Sequence, residues 1–210
     1  MIRVHHLNNS RSQRILWLLE ELGLPYEIVF HQRDATTNLA PPELKAVHPL
    51  GKSPVIEHDG RVVAESGAII DYLCRRCANG ALTPVPGSDE EIAYWQWMHF
   101  AEGSAMLPLL LALYTRYLGE AGAPLQPRIT SEILNHLSFM NDGLEGRDFL
   151  VGDSLTGADI NNLFVVEAAS GSGAVEAFPN LVRYREVMHA RPAYQRGLEK
   201  GGVYEIGKPR

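Results

Sequence analysis

Two short segments carry the residue types that could hold a small anionic ligand. Gly51-Lys52-Ser53-Pro54-Val55-Ile56 reads as a strand whose entry is set by a proline, and Glu65-Ser66 opens a helix pattern over Gly67–Leu73. Between them, Val55–His58 and Arg61–Ala64 flank Asp59-Gly60, a turn pair that signals a hairpin. If the Ser53–Pro54 bond is cis, the N–H and C=O of Ser53 can turn away from the sheet ladder and pair with an extended peptide. The free N–H groups of a helix start, with the Ser66 hydroxyl, favour a carboxylate. A turn proline or a serine-capped helix is, alone, ordinary structure. At hairpin spacing the two form a cradle for a short anionic peptide.

The surrounding pattern predicts the elements that position this cradle. Ile2–Leu7 suits a first strand. Ser12–Leu22 places Ile15, Leu16, Leu18, Leu19 and Leu22 on one helical face, ended by Gly23 and Pro25, and Tyr26–Phe30 is a second strand. Strand, helix and strand in this order imply a parallel pair with a right-handed crossover. A short helix over Pro42–Val47, the hairpin and a helix over Ser66–Cys74 complete β-α-β-α-β-β-α. Asn79–Ser88, rich in proline and glycine, reads as a linker. Beyond it strand alternation stops. Asp89–Leu118 and Pro127–Leu144 read as helices, with further starts near Thr156, Pro179 and Pro192. Thr156 and Asp159 have capping-box spacing, with Leu155 and Ile160 as the hydrophobic staple. The expected architecture is an α/β domain over residues 1–78 and an all-α domain over 89–210.

Composition excludes several classes. A chain of 210 residues with 45% hydrophobic and 21% charged residues is that of a globular protein. The net charge of -6, with no basic stripe, argues against nucleic acid or an anionic membrane as partner. The most apolar stretch, Ala105–Tyr114, is too short to span a bilayer. The opening Met1–His6 lacks a charged segment followed by an apolar run, so a cytoplasmic protein is expected. The two cysteines, Cys74 and Cys77, have redox or metal spacing, but no second Cys or His pair completes a zinc site. They also follow a helix pattern in place of opening the first helix after the first strand, so structural thiols and no metal are expected. His5 and His6 lie in the first strand outside any recognisable ligand set. His99 and Glu102 are close enough on one helix to interact, as a solvated or interface pair or as part of a cleft. Tyr94, Trp95, Trp97, Met98, Phe100 and Met106 make an aromatic-rich helix suited to core and dimer packing, part of which could line a pocket.

Lys52-Ser53-Pro54-Val55, Glu65-Ser66 and Ser154-Leu155-Thr156-Gly157-Ala158-Asp159 together resemble the cytosolic glutathione transferase family over nearly the whole chain. Asn9-Ser10-Arg11-Ser12-Gln13-Arg14, followed by Trp17-Leu18-Leu19-Glu20-Glu21-Leu22-Gly23, matches as well. The start has neither a tyrosine nor a cysteine after the first strand, so it is more similar to serine-type or asparagine-containing bacterial and fungal members. The resemblance implies a thioredoxin-like N-terminal domain, an all-helical C-terminal domain and a homodimer. It also implies glutathione as co-substrate and a small hydrophobic electrophile bound against the helical part. The backbone of Ser53, held by a cis Pro54, would bind the cysteinyl unit. Ser66 and Glu65 would bind the γ-glutamyl end, and Lys52 would meet the glycyl carboxylate. Asn9 or Ser10 would face the sulfur, whereas Ser12 suits a helix cap better. Two other activities fit the same residues: a glutathione-dependent disulfide or peroxide reductase, and a non-catalytic interaction protein that keeps the fold.

Overall fold

The computed structural model describes residues 1–208. It contains strands β1 (Ile2–Leu7), β2 (Tyr26–His31), β3 (Val55–His58) and β4 (Arg61–Ala64). Helices α1 (Gln13–Leu22), α2 (Leu44–Val47) and α3 (Ser66–Tyr72) alternate with them as the sequence pattern predicts. The sheet order is β2-β1-β3-β4, with β1 and β2 parallel and the remaining pairs antiparallel. This is the thioredoxin-like arrangement. Asp59 and Gly60 both adopt positive φ, 50° and 73°, the backbone that a two-residue hairpin turn demands. No strand occurs beyond Ala64 among the described residues; six α-helices follow α3 there. They are α4 (Asp89–Phe100), α5 (Met106–Thr115), α6 (Gln126–Gly143), α7 (Gly157–Ser170), α8 (Pro179–His189) and α9 (Pro192–Gly201).

The chain divides into two compact units, one of Met1–Thr83 with His189–Ile206, the other centred on Pro84–Met188. In the first, Val4, Ile15, Leu16, Leu19, Ile56, Ile69 and Ile70 are fully buried between sheet and helices. α9 lies in this unit, against α1. A Cβ on Gly197 would come within 3.0 Å of the Trp17 backbone, so the two helices meet backbone to backbone there. Ion pairs from Arg191 to Glu21 and from Arg196 and Lys200 to Glu20 flank the contact. Burial pushes the Glu20 carboxyl up, but hydrogen bonds from Lys200, Arg196 and Tyr26 outweigh it and hold it at about 2.

The second unit is built around α7, which is buried over almost its whole length and carries Asp159, Asn161, Asn162, Glu167 and Ser170 among its buried residues. Its start has the anticipated capping box: Asp159 Oδ2 accepts the Thr156 N–H at 2.8 Å. Asp159 Oδ1 also accepts the Leu150 N–H at 2.9 Å, and the Tyr184 hydroxyl donates to it at 3.3 Å. Of the aromatic-rich helix, Tyr94, Trp97, Met98 and Met106 are core, while Trp95 is partly exposed. A π-helical segment, Ala101–Ala105, joins α4 to α5 and precedes Pro108, whose missing N–H a regular helix would have needed. No helix among the described residues is long and apolar enough to cross a membrane.

Candidate functional site

The sheet register brings the expected residues to one end of the first unit. His5 pairs with Val55, and Val55 with Ala64. Since β1 ends at Leu7, β3 begins at Val55 and β4 ends at Ala64, residues 8–10, 53–54 and 65–66 all leave the sheet at the same end. β2, parallel to β1, delivers the segment after His31 there too.

The Ser53–Pro54 peptide is cis, the isomer on which the cradle depends. Pro54 is buried, and the half-buried Ser53 donates its hydroxyl to His5 O at 2.8 Å, tying the start of β3 to β1. No turn or loop hydrogen bond among the described residues uses the Ser53 backbone N–H or C=O. Glu65 has φ 71°, a backbone that non-glycine residues rarely adopt and that recurs where function demands it. Its C=O accepts the Ile69 N–H at 2.9 Å, which starts α3, and Ser66 is buried beside it. Lys52 is exposed next to Gly51.

The loop after β1 is held from several directions. Asn9 has φ 49°. Arg33 donates from Nε to Asn8 O at 3.1 Å and from Nη2 to Asn9 O at 3.0 Å, while its N–H reaches Asn8 Oδ1. Asn9 Oδ1 accepts the Glu205 N–H at 2.7 Å. Ser10 is buried, with its Oγ 2.8 Å from Ser12 Oγ and accepting the Ser12 N–H at 3.2 Å. Ser12 does not cap α1 with its side chain. Its fully buried hydroxyl turns back to β1 instead, 2.9 Å from His6 Nδ1, and accepts the Leu7 N–H at 3.1 Å. The capping falls to Ser10, whose C=O also accepts the Gln13 N–H.

The two strand histidines face opposite sides. His6 reaches Gly201 O at 3.1 Å, and burial pushes its pKa down to about 4, so it is neutral at physiological pH. His5 bridges His31 and Glu57 on the other face. Among the described residues no cluster of three His, Cys, Asp or Glu side chains could hold a metal ion. Cys74 and Cys77 are free thiols on a π-helical extension of α3. Burial, with Asp71 nearby, pushes Cys74 up to about 12, and burial and Asp59 raise Cys77. Both are therefore protonated at neutral pH, which suits structural thiols. In the second unit, His99 stacks on Trp95 and lines an open groove of about 640 Å³ with Phe100, His136 and Phe139.

Sequence reasoning missed His6, Arg33 and Glu205. His6 was visible as a strand histidine with no partner in sight. Arg33 and the Glu205 backbone carry no local signature of a role.

Known proteins resemble this chain over nearly its whole length. The Glutathione S-transferase N-terminal domain profile matches residues 10–76, and the Glutathione S-transferase C-terminal domain profile matches residues 103–192. Glutathione S-transferase 3 of Schizosaccharomyces pombe is 33% identical over 95% of this chain and 88% of its own length. A crystal structure of a glutathione S-transferase from Actinobacillus pleuropneumoniae is 34% identical, with a TM-score of 0.88 over 100% of this chain and 97% of that one. That of a glutathione transferase from Burkholderia graminis, with two glutathione molecules bound per subunit, is 29% identical, with a TM-score of 0.79 over 94% of this chain and 87% of that one. The chain belongs to the glutathione S-transferase family and is an enzyme of that class.

Proposed function

We propose that this chain binds glutathione at the end of its sheet and delivers the sulfur, as thiolate, to a small hydrophobic electrophile. The observation that carries the reading is the convergence of Ser53-Pro54, Glu65-Ser66 and Asn9-Ser10 at one end of one sheet. In this reading the unpaired N–H and C=O of Ser53 pair with the cysteinyl unit. Ser66 and Glu65 take the charged γ-glutamyl end, and Lys52 meets the glycyl carboxylate. Asn9 or Ser10 faces the sulfur. A free thiol has a pKa near 8.5 and is mostly protonated at neutral pH, and the thiolate is the nucleophile. Lowering that pKa by about two units requires roughly 2.7 kcal/mol of selective thiolate stabilisation. One or two donors at the sulfur supply energy of that order, because hydrogen bonds to a charged partner are the strong ones. A homodimer in the cytoplasm, with a detoxifying role, belongs to the same proposal.

The test is a pair of assays with glutathione present. Conjugation of an aromatic halide, with little reduction of a glutathione mixed disulfide, is expected. Reduction of the mixed disulfide without conjugation would replace the transferase by a disulfide or peroxide reductase at the same site. Neither activity, in a protein that also fails to bind glutathione, would leave only a non-catalytic binding surface.

A further inference from the structure

We infer that the end of α9 and the segment after it set the hydrogen-bond polarity of the sulfur site through two backbone groups, the C=O of Gly201 and the N–H of Glu205, so that Asn9 offers donors and Ser10 offers a lone pair. The inference rests on the proposed glutathione site and says which of its side chains activates the thiol.

The chain of reasoning runs from groups that have only one way to bond. Gly201 O can only accept, so the His6 Nε2 that lies 3.1 Å from it carries the proton. A neutral imidazole with a protonated Nε2 has a bare Nδ1, which can only accept. Ser12 Oγ lies 2.9 Å from Nδ1 and 3.2 Å from Leu7 O, two atoms that can only accept, so its hydroxyl donates to this pair. A hydroxyl has one proton, so Ser12 has none left for Ser10. The 2.8 Å contact between the two oxygens is then made by the Ser10 hydroxyl donating to Ser12. Ser12 Oγ is completed by the Leu7 N–H at 3.1 Å, giving one donated and two accepted bonds. With its proton spent inward and the Ser12 N–H on one lone pair, Ser10 has only its second lone pair to offer a ligand.

Asn9 is fixed the opposite way. The Glu205 N–H is a donor, so the atom it meets at 2.7 Å is the carboxamide oxygen. The Nδ2 end, with two N–H groups, has no partner among the described hydrogen bonds. The Arg33 bond to Asn9 O and the positive φ of Asn9 hold the backbone that presents it. A thiolate at this corner meets N–H donors from Asn9, whereas Ser10 can accept the S–H of the neutral thiol. Glu205 is thus a positioning residue, acting through its main chain, and the sulfur donor is Asn9. Redirecting the Ser10 proton to sulfur would remove a donor from the buried Ser12 oxygen, which opposes it.

The experiment titrates the thiolate absorbance of glutathione bound to the whole chain, with calorimetry of glutathione on every variant. Glu205→Pro removes the N–H, and Glu205→Ala is the conservative variant that retains it. Asn9→Ala and Glu205→Pro are expected to raise the bound thiol pKa by about one unit, a tenfold shift toward thiol. Both should lower kcat at neutral pH more than they raise KM, and Glu205→Ala should restore the titration. Ser10→Ala should leave the thiol pKa equal to the parent's or below it. If Glu205→Pro fails to fold, a stop codon after Gly202 removes the same N–H and leaves α9 intact. A Ser10→Ala variant with a raised thiol pKa overturns the inference, as does a folded Glu205→Pro or truncated variant that titrates like the parent. A parent that binds no glutathione by calorimetry overturns the functional reading itself, and the inference with it.

Discussion

Ser66 opens α3 and His6 lies near the end of β1, and the two answer to different experiments. Ser66→Ala removes a hydroxyl assigned to the charged γ-glutamyl end. It should weaken glutathione binding by roughly 1–3 kcal/mol while leaving the bound thiol pKa unchanged, as read by equilibrium dialysis and thiolate absorbance. His6 speaks through stability. Its folded pKa of about 4 lies below the ordinary 6.5, so between these values the unfolded chain binds more protons than the folded one. That contribution is fully present above 6.5 and is lost as pH falls toward 4, to a total of roughly 3 kcal/mol. His31, also pushed down by burial and by His5, has the same sign. Urea midpoints of the parent should therefore fall over this range, and His6→Phe should flatten the fall. At this scale the sequence was partly legible. Glu65-Ser66 and Lys52-Ser53-Pro54 stand out because a proline at a strand entry and a serine at a helix start, set at hairpin spacing, are local features of the chain. The choice among Asn9, Ser10 and Ser12 was closed to it. It depends on the proton order in a chain of bonds whose ends, His6 and Gly201, are 195 residues apart.

Elements were more legible than their partners. Periodicity gave β1 to α3 nearly as found, because each strand or helix announces its buried face locally. The Thr156 and Asp159 spacing gave the start of α7 for the same reason. Asp159→Ala would orphan the buried N–H groups of Thr156 and Leu150 at once. A loss of at least about 3 kcal/mol in urea unfolding is expected. What holds α9 was not legible, since the pairs Glu21–Arg191 and Glu20–Arg196 span most of the chain. Gly197 is the informative residue there. Alanine in a helix is favoured over glycine by about 1 kcal/mol, yet a Cβ at this position meets the Trp17 backbone at 3.0 Å. The main chain of α1 cannot swing aside as a side-chain tip would, so overpacking wins. Gly197→Ala should destabilise by about 1–3 kcal/mol in thermal or urea unfolding, the opposite of its helix propensity.

For the whole molecule, the break at Asn79–Ser88, where proline and glycine interrupt every periodicity, falls where Met1–Thr83 gives way to Pro84–Met188, whereas the return of His189–Ile206 to the first unit carries no such local mark. Acidic composition narrows the partners without naming one, and the electrophile's chemistry is not written in any motif. The central claim is that the end of the sheet is a glutathione site, formed by three segments that only the folded register brings together. Isothermal calorimetry of the intact chain with reduced glutathione tests it most directly. Saturable binding of one glutathione at that end, below millimolar Kd and weakened in Ser66→Ala, is the expected result. No heat of binding at millimolar glutathione, from a protein that unfolds cooperatively and is therefore folded, would contradict it.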